Sequence, residues 1–323
     1  MEDSQLHYSV LITTYNSSDF IVKALDSVFA QSIKPRQIIL VDDCSTDDTL
    51  SLLSKYPIEI VKMPINSGAA LARDAGLSLI TSVITFVLDA DDCWDDGHVE
   101  HHLKIWNSSN TKIGAVCSNM RLVFHDSVLP SQQYPFASKR VERKQIGILE
   151  LAAHNPFFSS ATSFRTSILK EIGGWSFAEQ KFCADYWVLT ELLLNGYKVE
   201  KILQETGTYL VSGENQSSNL IEVFKSETLA MNRLLKHFKD SNTLKSYDET
   251  KILCFRYISQ LTRIFRRFTF FEVFKSSIFP QLIALYDSKL IKLLDLKLCR
   301  VCIYILWRLS VTARKFKNVK VSE

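Results

Sequence analysis

The chain has 323 residues, 46% of them hydrophobic and 23% charged, a balance that excludes a disordered protein and suits one large domain plus an appendage. Seven cysteines at irregular spacing exclude a disulfide scaffold and fit a reducing cytoplasm, and neither a leader peptide nor a run near the roughly 20 apolar residues of a spanning helix is expected. The net charge of +3 is uneven: residues 1–220 hold 18 basic and 26 acidic residues, and residues 221–323 hold 20 and 9, so an acidic front precedes a basic rear.

Residues 8–12 are a short β-rich run ending in Thr13-Thr14-Tyr15-Asn16. Ser17 or Ser18 is placed to cap the next helix, in which Phe20, Ile21, Ala24, Leu25, Val28 and Phe29 recur at helical spacing. Residues 38–41 are apolar on both faces, as a strand covered on both sides requires, and end in Asp42-Asp43. A short helix is expected from Thr46, a third strand at 58–61, and a helix from Ala69 to about Ser78 after Asn66-Ser67-Gly68. The apolar run 83–88 is the fourth strand and ends in Asp89-Ala90-Asp91-Asp92. This βαβαβαβ order predicts an α/β fold with a mainly parallel, Rossmann-like sheet and helices on both faces. Such sheets bind ligands beyond the carboxyl ends of their strands. Thr14-Tyr15, Asp42-Asp43 and residues 89–92 all end strands, so folding should gather them on one rim.

Carboxylates gathered without counter-charge raise one another's proton affinity, and a divalent cation relieves that. An oxygen-only set suits Mn²⁺ or Mg²⁺, the latter commonly held by one or two carboxylates plus substrate phosphates. The plainer alternative is that residues 89–92 cap the following helix, with Asp92, Asp95 and Asp96 complementing its dipole. Neither G-x-G-x-x-G nor G-x-x-x-x-G-K-[ST] is present, so a glycine-rich phosphate cradle is not expected. His98, His101 and His102 lack partners at zinc-finger spacing and read as a solvated first helical turn. Gly173-Gly174 reads as a helix C-cap, Cys299 and Cys302 as apolar packing, and the basic stretch 139–144 as a solvated loop.

Together these segments resemble the family-2 glycosyltransferases of the GT-A fold. Residues 9–16 are similar to that family's opening strand and turn. Val41-Asp42-Asp43-Cys44-Ser45-Thr46-Asp47-Asp48-Thr49 resembles its V-D-D-G-S-T-D-D-T segment, with Cys44 where glycine is usual. Asn66-Ser67-Gly68 through Ala72-Arg73-Asp74-Ala75-Gly76 resembles its N-x-G-x-x-x-A-R-N-x-G stretch, and Asp89-Ala90-Asp91 its D-x-D signature. The likeness continues more loosely to about residue 220. Glu171-Ile172-Gly173-Gly174-Trp175 resembles the segment before the family's catalytic acid, and Ala184-Asp185 stands where the family has E-D. Tyr209-Leu210-Val211-Ser212 stands where Y-R-x-H is frequent.

The resemblance implies an inverting glycosyltransferase that moves a sugar from a nucleotide-diphosphate sugar, most often UDP-linked, to a hydroxyl of a glycan or lipid-linked glycan. It implies that Asp43 contacts the base, that Thr14 and Tyr15 line the base pocket, and that Asp89 lies near the ribose or metal. Arg73 would support the donor site, Asp91 and Asp92 would ligate the metal, and Asp185 would be the general base. A helix N-cap is the structural alternative for Asp185. Two other functions compete. A catalytically inactive binding module is suggested by Ala184 and Ser212, and a sugar-1-phosphate nucleotidyltransferase is disfavoured by the missing glycine-rich segment after the first strand.

From about Ile221 apolar residues recur at helical spacing, with a break at Pro280. Residues 1–220 are therefore expected to be the catalytic domain and 221–323 a basic helical C-terminal region. Arg263, Arg266 and Arg267 among phenylalanines, and a last helix at about 290–317 mixing Ile303, Ile305 and Trp307 with Arg300, Arg308 and Arg314, suit either an anionic membrane surface or a bundle against the catalytic domain. A cytoplasmic location, peripheral on the inner membrane face, follows from the membrane reading. No recognised nucleic-acid fold is present, and nucleic acid is not an expected partner.

Overall fold

The computed structural model describes residues 6–108, 112–125, 144–153, 157–176 and 183–212, with scattered positions between 222 and 237. The chain divides into two compact units, and the first, Met1–Leu151 with Asn155–Ser218, holds the sheet and the site. The C-terminal residues 238–323, where basic helices are expected and which include Cys299 and Cys302, and the 139–143 stretch lie outside the described residues.

The parallel half of the sheet comprises β1 (Tyr8–Thr14), β2 (Gln37–Asp42), β3 (Glu59–Lys62) and β4 (Ile84–Asp89), with β1 between β2 and β4 and β3 beyond β2. The remaining strands are β5 (Cys93–Trp94), β6 (Ile113–Phe124), β7 (Gln145–Ile146), β8 (Thr162–Arg165) and β9 (Lys198–Val211). Spatial order runs β3-β2-β1-β4-β8-β6-β9-β5, with β7 also on β9. β8 is antiparallel to both β4 and β6, while β6 and β9 are parallel. The sheet is therefore parallel over its first four strands and mixed beyond them.

Helices cover both faces. Val10, Ile12 and Leu40 of one face form a core with Ile21, Ala24, Leu25 and Val28 of α1 (Ile21–Phe29) and with Val99, Leu103 and Trp106 of α4 (His98–Ser108). On the other face α3 (Ala69–Leu79) lies so close that a Cβ on Gly76 would overlap Leu11 Cδ1 and sit 2.9 Å from Val41 Cγ2. Each large side chain buried in this way contributes roughly 1.5–3 kcal/mol.

Local order departs from expectation in two places. No side chain caps α1; instead the Ser17 carbonyl accepts from the N–H groups of Phe20 and Ile21 at 3.0 and 2.9 Å. The Ser17 hydroxyl donates to the Tyr15 carbonyl at 3.2 Å, and the N–H groups of Ser17 and Ser18 are taken by Thr49 Oγ1 and Asp47 Oδ2. The helix α2 (Thr49–Leu53) starts three residues later than expected, because Ser45, Thr46 and Asp47 bond to the loop after β1. Further along are α5 (Ile148–Ala153), a 3-10 turn (Ser159–Ala161), α6 (Thr166–Glu171) and α7 (Ala184–Leu194). Gly173 and Gly174 end α6 at φ +94° and +73°, where a side chain would be strained, and cap it as expected. Among the described residues no helix is long and apolar enough to cross a membrane.

Candidate active site

Parallel pairing aligns the chemistry-bearing residues. Thr14 is in register with Asp42, and Thr13 with Asp89. Backbone bonds carry the alignment past the strand ends: the Asp43 N–H donates to the Thr14 carbonyl at 2.8 Å and the Ala90 N–H to the Thr13 carbonyl at 3.3 Å.

The loops after β1 and β2 are joined to each other. The Asn16 N–H donates to the Ser45 hydroxyl at 2.9 Å, and Asn16 Oδ1 accepts from the Thr46 N–H at 2.8 Å. Asn16 and Cys44 hold positive φ, +48° and +69°; the second stands where a glycine would carry no steric penalty. Asp43 is buried, with Oδ1 accepting from the Ser67 N–H at 2.8 Å and Oδ2 from the Gly68 N–H at 2.7 Å. Each oxygen keeps a second lone pair, so the carboxylate both anchors the turn before α3 and retains acceptor capacity. Tyr15 is 47% exposed beside it, and the buried Thr14 hydroxyl has no partner among the described residues.

Around the acidic turn the three carboxyl groups differ. Asp89 Oδ1 receives Arg73 Nη2 at 2.5 Å and the Thr13 hydroxyl at 3.4 Å. Arg73 is buried, which opposes its charge, but Asp89, then Asp185 and Asp74, more than offset this and hold the guanidinium charged. Its Nε has no partner among the described residues. Asp91 is half-buried, and burial together with the Asp89 charge pushes its carboxyl up to about 6. Asp92 is 1% exposed; its Oδ2 accepts from the Ser160 hydroxyl at 2.5 Å and its Oδ1 from the Leu210 N–H at 2.9 Å. Burial, with the charges of Asp91 and Asp89, lifts it well above the usual carboxylate range.

Residues 89–92 do not cap α4, because β5 intervenes and Asp92 turns inward. Ser160, which has no motif around it, also accepts from the Asp89 N–H at 3.0 Å, and its carbonyl accepts from Trp94 Nε1 at 2.6 Å. Sequence inspection passes over it because the contact spans 68 residues.

Asp185 is the second residue of α7, and Cys183 occupies the N-cap at φ +54°. The simple capping alternative is thus replaced by a first-turn carboxylate near the positive end of the helix. Burial raises its pKa, and Arg73 pulls it back. Leu210, in the position where the resemblance would place arginine, serves the site through its backbone N–H on Asp92.

The histidines overturn their expected reading. His98 and His102 are buried, and of the three only His101 is exposed. His98 Nδ1 is 2.7 Å from Thr206 Oγ1, which lies 2.5 Å from Ser118 Oγ; His102 bonds Ser163 Oγ at 2.8 Å. Polar partners on β6, β8 and β9 draw His98 and His102 inward, so this turn of α4 is only partly solvated.

Among the described residues no three His, Cys, Asp or Glu side chains already form a cation cage. The half-buried Asp91 and its acidic neighbours offer oxygen donors of the kind that hold a divalent ion jointly with a ligand's phosphates.

Comparison with known proteins bears on the whole arrangement. Residues 9–173, just over half of the chain, match the profile of glycosyl transferase family 2. The poly-beta-1,6-N-acetyl-D-glucosamine synthase of Staphylococcus epidermidis is 29% identical over 175 residues, 52% of this chain and 41% of that protein. The chain spans about two fifths of the length of the first curated relatives it matches. Among solved structures, S. aureus TarS 1-349 in complex with UDP-GlcNAc superposes with a TM-score of 0.58 at 18% identity, covering 81% of this chain and 73% of that one. The mannosyltransferase PcManGT from Pyrobaculum calidifontis, in complex with GDP-Man and Mn²⁺, gives 0.57 at 18%, covering 99% and 88%. These likenesses share the GT-A fold, and on the profile match the chain belongs to glycosyl transferase family 2.

Proposed function

We propose that the chain transfers a sugar, with inversion, from a nucleotide-diphosphate sugar to a hydroxyl of a glycan or lipid-linked glycan. The observation that carries this is the grouping of Arg73 with Asp89 and Asp185 at a rim that also bears Asp43 and Asp91. UDP is the preferred nucleotide in this reading, by analogy with TarS and the family resemblance.

On this reading the base stacks near Tyr15, with the Thr14 hydroxyl and the free lone pairs of Asp43 in reach of its polar edge. Asp89 and Arg73 hold the ribose-phosphate side. Asp91 offers oxygen to Mn²⁺ or Mg²⁺, while Asp92, 1% exposed and bonded to Ser160 and Leu210, is assigned to holding the turn. When bound, such a cation stabilises the departing diphosphate by several kcal/mol as a Lewis acid. Asp185 accepts the proton of the acceptor hydroxyl as that oxygen bonds to the anomeric carbon and the diphosphate oxygen leaves. Its raised pKa suits a base, whose contribution is typically about 10²–10⁴-fold.

The test is thermal stabilisation by a panel of nucleoside diphosphates, with and without Mn²⁺, beside Asp91→Ala. Ligand that binds only the folded chain raises Tm. One diphosphate should stabilise the wild type only with metal, and Asp91→Ala should lose the effect. No stabilisation under any condition would favour the inactive module. The basic region 221–323 is proposed to lie on an anionic membrane surface at the cytoplasmic face. Liposomes with anionic lipid should then recover the chain in a salt-sensitive manner, and equal recovery by neutral liposomes would reject it.

A further inference from the structure

Asp74 follows Arg73 on α3 and serves a different part of the molecule. Its Oδ1 accepts from the Trp175 N–H at 2.7 Å and its Oδ2 from the Ser176 N–H at 2.8 Å. A Cβ on Gly174 would overlap this same carboxylate. The turn after α6 is thus pressed onto one acidic side chain about a hundred residues away in sequence. Trp175, fixed by that turn, is 1% exposed and stands edge-on to Phe164, with ring centres 5.7 Å apart at 87°. Its ring centre lies 6.0 Å from Arg73 Cζ.

The arrangement matters because of how Arg73 is held. Among the described residues its ion pair is the single Nη2 contact on Asp89, and its Nε is buried without a partner. A guanidinium gripped at one nitrogen can rotate about that bond, which would scatter its other donors. An aromatic ring near the cation restricts that rotation and attracts the charge.

We propose that Asp74 and Trp175 are positioning residues for Arg73. The Asp74 carboxylate sets the turn, the turn sets the indole, and the indole orients the guanidinium that grips Asp89. Neighbouring residues of α3 then divide the work: Arg73 meets the donor side, and Asp74 orders the support beneath it. The catalytic consequence rests on the function proposed above, and the packing claim does not.

Two measurements on the full chain decide it. The first is a double-mutant cycle in urea unfolding with Trp175→Leu, Arg73→Met and both together. The double variant should lose less in midpoint than the two single losses combined, and additive losses would overturn the contact. The second is calorimetric binding of UDP and of GDP with Mn²⁺. A ring–cation contact of about 0.5–2 kcal/mol corresponds to roughly 2- to 30-fold in affinity. Trp175→Leu and Asp74→Asn should weaken the binding nucleotide within that range, and Trp175→Phe should restore most of it. A Trp175→Leu chain with lower Tm but wild-type affinity has lost only structure, and that result sinks the proposal. If the wild type binds neither nucleotide, the proposed function falls, and the unfolding cycle still decides the packing claim.

Discussion

The parallel strands β1–β4 and the mixed strands β5–β9 treat their polar groups in opposite ways. At the rim of the parallel half, N–H groups, a hydroxyl and one guanidinium donate to carboxylates: two backbone donors to Asp43, Arg73 and Thr13 to Asp89. In the mixed half a set of polar groups lies inside. His98, His102, Thr206, Ser118 and Ser163 hydrogen-bond to one another beneath Trp94 and Trp106, with His98 Nε2 left without a partner among the described residues. One half gathers carboxylates at its rim, whereas beneath α4 the other holds histidines and hydroxyls in its interior. Polar residues in a sequence therefore carry no fixed meaning until their partners are known.

The sharpest way to break this contrast is at Asp185, the proposed base, whose burial is offset by Arg73 of the parallel half. Asp185→Asn should lower turnover by about 10²–10⁴-fold. Nucleotide affinity should stay within about three-fold, well under one kcal/mol. Wild-type turnover in that variant would remove the residue from the mechanism.

The neutral histidine core should make the protein acid-sensitive. His98 is pushed down to about 3 by burial, and His102 well below the ordinary 6.5 by burial and the His98 charge. The unfolded chain gains protons at these sites below 6.5 and the folded chain does not, so stability is full above that pH and is lost on acidification. Each histidine removes up to about 1.4 kcal/mol per pH unit. Urea unfolding at pH 7.0 and 5.5 should show a smaller loss in His102→Gln than in the wild type; an equal pH dependence in the two would mean that His102 is not held neutral.

Smaller effects test the parallel half. Gly76→Ala would drive a methyl into Leu11 and Val41, at a cost of about 1–3 kcal/mol by chemical denaturation. Cys44→Gly should relieve the left-handed backbone and stabilise by about 1 kcal/mol, the least of these changes. A loss of stability there would mean that the thiol contributes packing that outweighs the strain.

The parallel half was legible because its signals are local. Apolar runs such as 38–41 end in the acidic pairs, and β2 (Gln37–Asp42) exceeds that run by a single residue at each end. Asp43, Asp89, Asp91 and Asp185 could be picked out because short motifs surround them. The mixed half was not legible in the same way. Ser160 and Asp74 act on partners 68 and about a hundred residues away, and no periodicity announces such contacts. His98 and His102 misled because the missing metal partners excluded a zinc site without revealing the hydroxyls of Ser118, Ser163 and Thr206 that draw them inward. The inward turn of Asp92 was hidden for a similar reason, since its partners are a hydroxyl and a backbone N–H from distant segments.

Among the described residues, Asn16, Cys44 and Cys183 are the non-glycine residues with positive φ. Each adjoins a residue proposed to touch substrate: Tyr15, Asp43, and Asp185 two positions on. Backbone held in this region is strained by about 1–3 kcal/mol at each position and persists only where its surroundings insist on it. The amides around these three positions are therefore the natural place for brief local opening. Hydrogen exchange there should be faster than in the flanking strands, and it should slow when nucleotide fills the rim.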